Sequence, residues 1–255
     1  ISRGLDSSLL TVRIDFPACS DVRVKINLGA INTPGVIEYI PGSVTAIAGS
    51  PSLTITESDI TDLQNPEFLV GNTDNGQFIT FTIKRRANCG TASSTKDNVT
   101  VSSSGPCNAV DDDANNNNYN LLAPTLTLVP PPSMVNTDVG NTYTRNFTIT
   151  NGGLGCVDTL GLWLVYPASS VQFVSLKVGA EVLTPAYTNG DSLYFQVSGT
   201  ALGANKQLCN TGSAISFAET FTILKCDVNT RYGAAWYDHE GNSCQQVTAT
   251  ANLTM

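Results

Sequence analysis

Seven cysteines in 255 residues are the first side chains with chemistry to offer. Cys19, Cys89 and Cys107 recur as Cys156, Cys226 and Cys244, with 137 positions between each member and its copy. A constant displacement of three cysteines marks the chain as two copies of one module. None forms a Cys-x-x-Cys pair, so neither a zinc ribbon nor a dithiol redox centre is indicated. Disulfides are the remaining reading. Cys89–Cys107 and Cys226–Cys244 span equal intervals of 18 positions, and each bridge would tie the last two strands of its module. Cys209 has no counterpart, because Asn72 stands at the equivalent place, and it is the candidate partner of Cys156. Cys19 is then left unpaired or joined to chain beyond this sequence, with a Cys19–Cys89 bridge as the alternative. Closing a loop of this kind contributes roughly 3 kcal/mol by constraining the unfolded chain.

Three other clusters have the residue types of a site. Gly190-Asp191-Ser192-Leu193 could present a serine nucleophile. Such a serine needs a histidine oriented by an acid to take its proton. The single histidine, His239, follows Trp236 by three places and has no acid there. Leu193, Phe195 and Val197 alternate after the motif, which fits a turn leading into a strand. Asp238-His239-Glu240 offers one imidazole where catalytic zinc takes two or three, and Gly241-Asn242 beside it is turn chemistry. Asp111, Asp112 and Asp113, followed by Ala114 and four asparagines, supply the oxygen ligands that calcium takes. The same tract also reads as a solvated linker. No catalytic residue is assigned, and no enzyme is expected.

Charged residues make up only 13% of the chain, about half the usual share, and the net charge is −8. Binding to nucleic acid needs clustered lysine and arginine, and the only basic run is Lys84-Arg85-Arg86. An anionic membrane surface is disfavoured for the same reason. No apolar stretch approaches the ~20 residues of a membrane span. Threonine, serine, asparagine and glycine fill the surface role, and with the cysteines they point to an oxidising, extracellular compartment. The first residues, Ile1-Ser-Arg-Gly, are not a signal peptide, and we expect the chain to be part of a longer one.

The apolar period is two. Leu10, Val12 and Ile14 alternate with polar residues, as do Val22, Val24 and Ile26, then Ile79, Phe81 and Ile83, and Val247 to Leu253. Such alternation places one face on a core and the other in water. Leu160 to Tyr166 is nearly all apolar and reads as a central strand covered on both sides, with Trp163 and Phe173 in the core. Frequent turn sequences, such as Asp74-Asn-Gly and Asn151-Gly-Gly, separate short strands. The expected fold is all-β, two tandem β-sandwiches, 1–118 and 119–255. Leu121 to Val129 would open the second module, and the first would lack the matching strand.

Asn141-Thr-Tyr-Thr-Arg-Asn-Phe-Thr-Ile-Thr-Asn-Gly-Gly, then Asp158-Thr-Leu and Val171-Gln-Phe-Val-Ser, resemble the Ig-like conserved repeat of bacterial surface proteins. Ala234-Ala-Trp236 followed by Cys244-Gln resembles repeats in the giant gliding adhesins of Bacteroidetes, the SprB type. The resemblance covers most of 122–255 and, more loosely, 1–118. It implies an Ig-like fold, a cell-surface setting and a structural or adhesive role. It also implies neighbouring repeats, surface polysaccharide or other surface proteins as partners. A carbohydrate-binding or accessory module of a secreted enzyme is the alternative, and it would need exposed aromatic rings on one face.

Overall fold

A computed structural model describes the chain except for residues 1–6, 30–36, 90–93, 105–110, 113–118, 136, 168, 203–207, 210, 226–227, 239–240 and 255. Two compact units are present. The first runs to Leu121 and the second begins at Leu122. Both are Ig-like β-sandwiches, and no helix among the described residues is long and apolar enough to cross a membrane.

The first unit contains β1 (Ser8–Phe16), β2 (Cys19–Asn27), β3 (Ile37–Tyr39), β4 (Thr45–Gly49), β5 (Thr56–Asp59) and β6 (Glu67–Thr73). It continues with β7 (Gln77–Ala87), β8 (Ser94–Thr95), β9 (Asn98–Ser102), β10 (Asp111–Asp112) and β11 (Tyr119–Asn120). One sheet is built on β7, with β1 on one side and β3 and β4 on the other. The second runs β10-β9-β2-β6-β5. The alternating residues do what their period requires: Val22, Val24, Ile26, Ile79, Phe81 and Ile83 all reach the core between the sheets. Tyr39, Phe68 and Phe81 pack edge-on or tilted at its centre.

The end of this unit differs from the linker reading. Asp111 and Asp112 pair with Val101 and Thr100 as an edge strand. Tyr119 and Asn120 pair with Thr95 and Ser94, and Leu121 is buried in the first core instead of opening the second unit. The reason is a buried charge. Arg85 and Asp97 form an ion pair with both side chains nearly enclosed. The Tyr119 hydroxyl donates to Asp97 at 2.5 Å, and its ring lies 4.4 Å beneath the Arg85 guanidinium. The ring thus covers an ion pair that would otherwise meet water.

The second unit contains β12 (Leu126–Val129), β13 (Thr142–Asn151), β14 (Thr159–Val165), β15 (Val171–Val178) and β16 (Glu181–Leu183). After these come β17 (Tyr187–Asn189), β18 (Ser192–Ser198), β19 (Ser213–Ile223), β20 (Val228–Tyr237) and β21 (Ser243–Leu253). Its sheets are β12-β13-β19-β15-β16 and β17-β18-β14-β20-β21. The latter repeats, strand for strand, the order β5-β6-β2-β9-β10 of the first unit. Leu160, Leu162 and Leu164 from one sheet meet Phe147, Phe217 and Phe221 from the other, and Phe147 stacks on Phe217 at 5.0 Å. Phe173 packs at the edge of this core against Tyr166 and Phe195.

Polar groups inside the second unit are gathered into bonded clusters. Arg145 on β13 pairs with Glu219 on β19, and Tyr166 and Tyr232 both donate hydroxyl protons to Glu219. Arg145 also donates to Thr230 on β20 at 2.6 Å, so the network reaches from one sheet to the other. Asn151 is wholly buried and makes four bonds. Its amide nitrogen donates to the carbonyls of Gly155 and Leu208, and its oxygen accepts from the backbone of Thr125 and Gly153. That is the full capacity of the side chain. Gln245 on β21 acts similarly towards Leu126, receiving its N–H and donating to its carbonyl.

Glu219→Gln strands Arg145 without its counter-charge and should cost the second unit about 3–5 kcal/mol, read as a lower urea midpoint. Replacing both partners, Arg145→Met with Glu219→Leu, should recover most of that loss, because the penalty lies in the unpaired charge.

Candidate functional site

Cys156 and Cys209 are joined by a disulfide. Cys19, Cys89 and Cys244 are each disulfide-bonded as well, so Cys19 is not the free thiol that one reading allowed. Cys107 and Cys226, the partners expected for Cys89 and Cys244, lie outside the described residues, as does Asp113. Asp111 and Asp112 are held by strand pairing in β10. Ser192 opens β18 immediately after the Gly190 turn, where φ is +57°, as the turn reading requires. Asp238 is buried in a tight turn, accepting from the backbone and side-chain nitrogens of Asn242. His239 and Glu240 lie outside the described residues.

The surface with the geometry of a site is one the apolar run concealed. In β14 the leucines at 160, 162 and 164 point inward, while Gly161, Trp163 and Val165 point outward. Trp163 is therefore not a core residue: it is half-buried on the outer face of its sheet. The run reads as apolar throughout because its outer face carries an aromatic ring instead of polar residues. In register across the sheet, Trp163 stands beside Tyr194 on β18 and Gly233 on β20, and Tyr194 beside Tyr187 on β17. Tyr187 and Tyr194 stack with centroids 4.9 Å apart, and Tyr187 is 59% exposed.

Two glycines make this arrangement possible. A Cβ on Gly233 would fall 1.9–2.2 Å from three atoms of the Trp163 indole. One on Gly161 would fall 2.6–2.9 Å from the Tyr237 ring and the Tyr237 and Tyr194 hydroxyls. Neither glycine has a positive φ, so the missing side chain matters and not backbone freedom. The Trp163 and Tyr237 rings press close to bare backbone, and Gly233 and Ala235 are buried although they face outward.

The result is a cleft of about 330 Å³, at the small end of the ~300–1,000 Å³ of small-ligand sites. Trp163, Tyr187, Tyr194 and Tyr237 line it, with Asn189, Ser192, Ser243 and Gln246 around them. All nine lining residues, Ala235 included, are neutral. The outer face of the other sheet is different. There Thr142 bonds Thr222, Thr144 bonds Thr220 and Thr148 bonds Ser216, a ladder of hydroxyls that satisfy one another. The corresponding face of the first unit carries charge instead, with Arg23 bonded to Glu67 at 2.9 Å.

Burial raises the Tyr194 hydroxyl to about 12, reinforced by its hydrogen bond with Tyr237. Tyr39 is likewise raised to about 12 by burial and its bond to Glu57, and burial also raises Tyr119, Tyr166 and Tyr232.

No family model matches the chain, and no curated protein does. Among solved structures, BspA_C_mut aligns over 100% of this chain and 94% of its own at 11% identity, with a TM-score of 0.42. The C-terminal domain of the Streptococcus pyogenes antigen I/II-family protein AspA aligns over 100% and 95% at 11% identity, with a TM-score of 0.38. A cohesin module from a Clostridium perfringens family 33 glycoside hydrolase aligns over 51% of this chain and 96% of its own, at 11% identity and 0.37. At such identities and scores the likeness says nothing of what this chain binds.

The raised hydroxyls predict alkaline sensitivity. Unfolded tyrosines ionise near 10, so between about pH 10 and 12 the unfolded chain sheds protons that the native chain keeps. Stability should be undiminished below about pH 10 and fall as pH rises towards 12. Tyrosinate absorbance should show Tyr39, Tyr119, Tyr166, Tyr194 and Tyr232 titrating later in the native protein than in denaturant.

Proposed function

We propose that the chain is a structural and adhesive segment of a long secreted bacterial cell-surface protein, in which tandem sandwiches hold a contact face away from the cell. The aromatic cleft carries the reading. It is a built, neutral, concave surface on a unit whose opposite sheet is closed by its own hydroxyl ladder. The sparse charge and the disulfides support an extracellular setting. The resemblance of Ala234-Ala-Trp236 followed by Cys244-Gln to SprB-type repeats supports a gliding or attachment filament as the specific form. Neighbouring repeats of the same chain are then its structural partners. An accessory module of a secreted enzyme would use the same cleft and differ in what the rest of the protein carries.

An adhesive segment transmits force, and the Cys156–Cys209 bridge sets how it does so. The 53 positions it spans stay out of the load path when the sandwich is pulled apart. At ~3.3–3.6 Å per extended residue, this withholds roughly 180 Å of chain. Single-molecule pulling should show discrete unfolding steps, one of which lengthens by about that amount in a Cys156→Ser, Cys209→Ser variant. Continuous extension at low force, without steps, would overturn the load-bearing reading.

A further inference from the structure

We infer that the cleft formed by Trp163, Tyr187, Tyr194 and Tyr237 binds the pyranose rings of a neutral polysaccharide. This names a ligand for the contact face and rests on the adhesive reading. The argument begins with the rings. Trp163 lies across Gly233, and Tyr237 lies across Gly161. Tyr187 stacks on Tyr194 and is 59% exposed. The face of an aromatic ring is electron-rich, and the C–H-bearing side of a pyranose is its natural complement, apolar and slightly positive.

The rim supplies the second half of the recognition. Sugar hydroxyls both donate and accept, and so do the side chains of Asn189, Ser192, Ser243 and Gln246. A proline-rich peptide would also stack on tyrosine and tryptophan, but it presents carbonyl acceptors and few donors, leaving half of this rim unused. The neutral lining offers nothing to a uronate or sulfate. Position matters too. Asn189 and Ser192 are paired neighbours on β17 and β18, while Tyr237 and Ser243 are paired neighbours on β20 and β21. Polar groups thus stand at both ends of the aromatic row, as an oligosaccharide crossing the strands requires. Tyr187, on the edge strand, extends the row outward.

The site is also readable without a label. The chain has two tryptophans, and Trp236 is 3% exposed in the core. A ligand stacking on Trp163 should therefore change the fluorescence of the half-buried indole. The whole chain should be titrated with cellohexaose, xylohexaose, mannohexaose and maltohexaose, with polygalacturonate and a proline-rich peptide as contrasts. Saturable fluorescence change with at least one neutral oligosaccharide is expected. Tyr187→Ala, which removes an exposed ring, should weaken that binding about tenfold, a loss of ~1.4 kcal/mol. Gly233→Ala should weaken it further by lifting the indole from its seat, while circular dichroism stays that of the parent. Binding that is unchanged in both variants would overturn the assignment. So would binding of the peptide or polygalacturonate in place of every neutral sugar. Stepwise unfolding under load without any sugar binding would remove this site and leave the adhesive reading standing. Sugar binding without stepwise unfolding would do the reverse.

Discussion

An arginine and a glutamate removed from water govern the second unit. Arg145 and Glu219 stand opposite each other on β13 and β19, and two tyrosines and a threonine bond to them. Neither ion could remain there alone, since a buried unpaired charge is among the most costly defects a core can hold. Tyr166 follows β14, while Thr230 and Tyr232 belong to β20. Meeting the needs of one ion pair therefore fixes how both sheets of the sandwich are set against each other. Apolar packing alone would tolerate small slides between sheets. Directional bonds to a shared carboxylate do not, and they help to specify a single packing.

The first unit solves a similar problem at its margin. Arg85 and Asp97 are enclosed only because Tyr119 lies over them. A residue at the end of the module thereby becomes part of its core, which explains why the division falls after Leu121 and not at the asparagine tract. Both units use a tyrosine hydroxyl to satisfy a buried acid, by different strands and at different places.

Much of the architecture was legible in the sequence. The cysteine displacement and the period-two alternation indicated two all-β modules, and the sandwiches follow from them because alternation has one structural solution per face. The aromatic face was not legible. In Leu160–Tyr166 the residues on the two sides of the strand are all apolar or glycine, so alternation leaves no trace and Trp163 reads as core. A usable signal did exist: Gly161 and Gly233 sit inside strands, where glycine is unfavourable unless something must lie close to the backbone. Nor could periodicity reveal Asn151, whose neighbours Gly152-Gly153 read as an ordinary turn, although its side chain gathers Thr125, Gly153, Gly155 and Leu208. Long-range polar contacts of this sort have no local pattern. The ion pairs were hidden likewise, since Arg145 and Glu219 lie 74 positions apart.

The glycine seats under Trp163 and Tyr237 separate two kinds of inheritance. Residues inside the sandwich answer to one another, so a change in one constrains its neighbours. The rings on the outer face touch backbone and each other, and they can be exchanged without disturbing the leucines beneath. The two modules already show this freedom: the equivalent sheet order presents aromatic rings in one and an arginine–glutamate pair in the other. Repeated modules of this build can vary their outer faces copy by copy while the sandwich interior that carries them is kept.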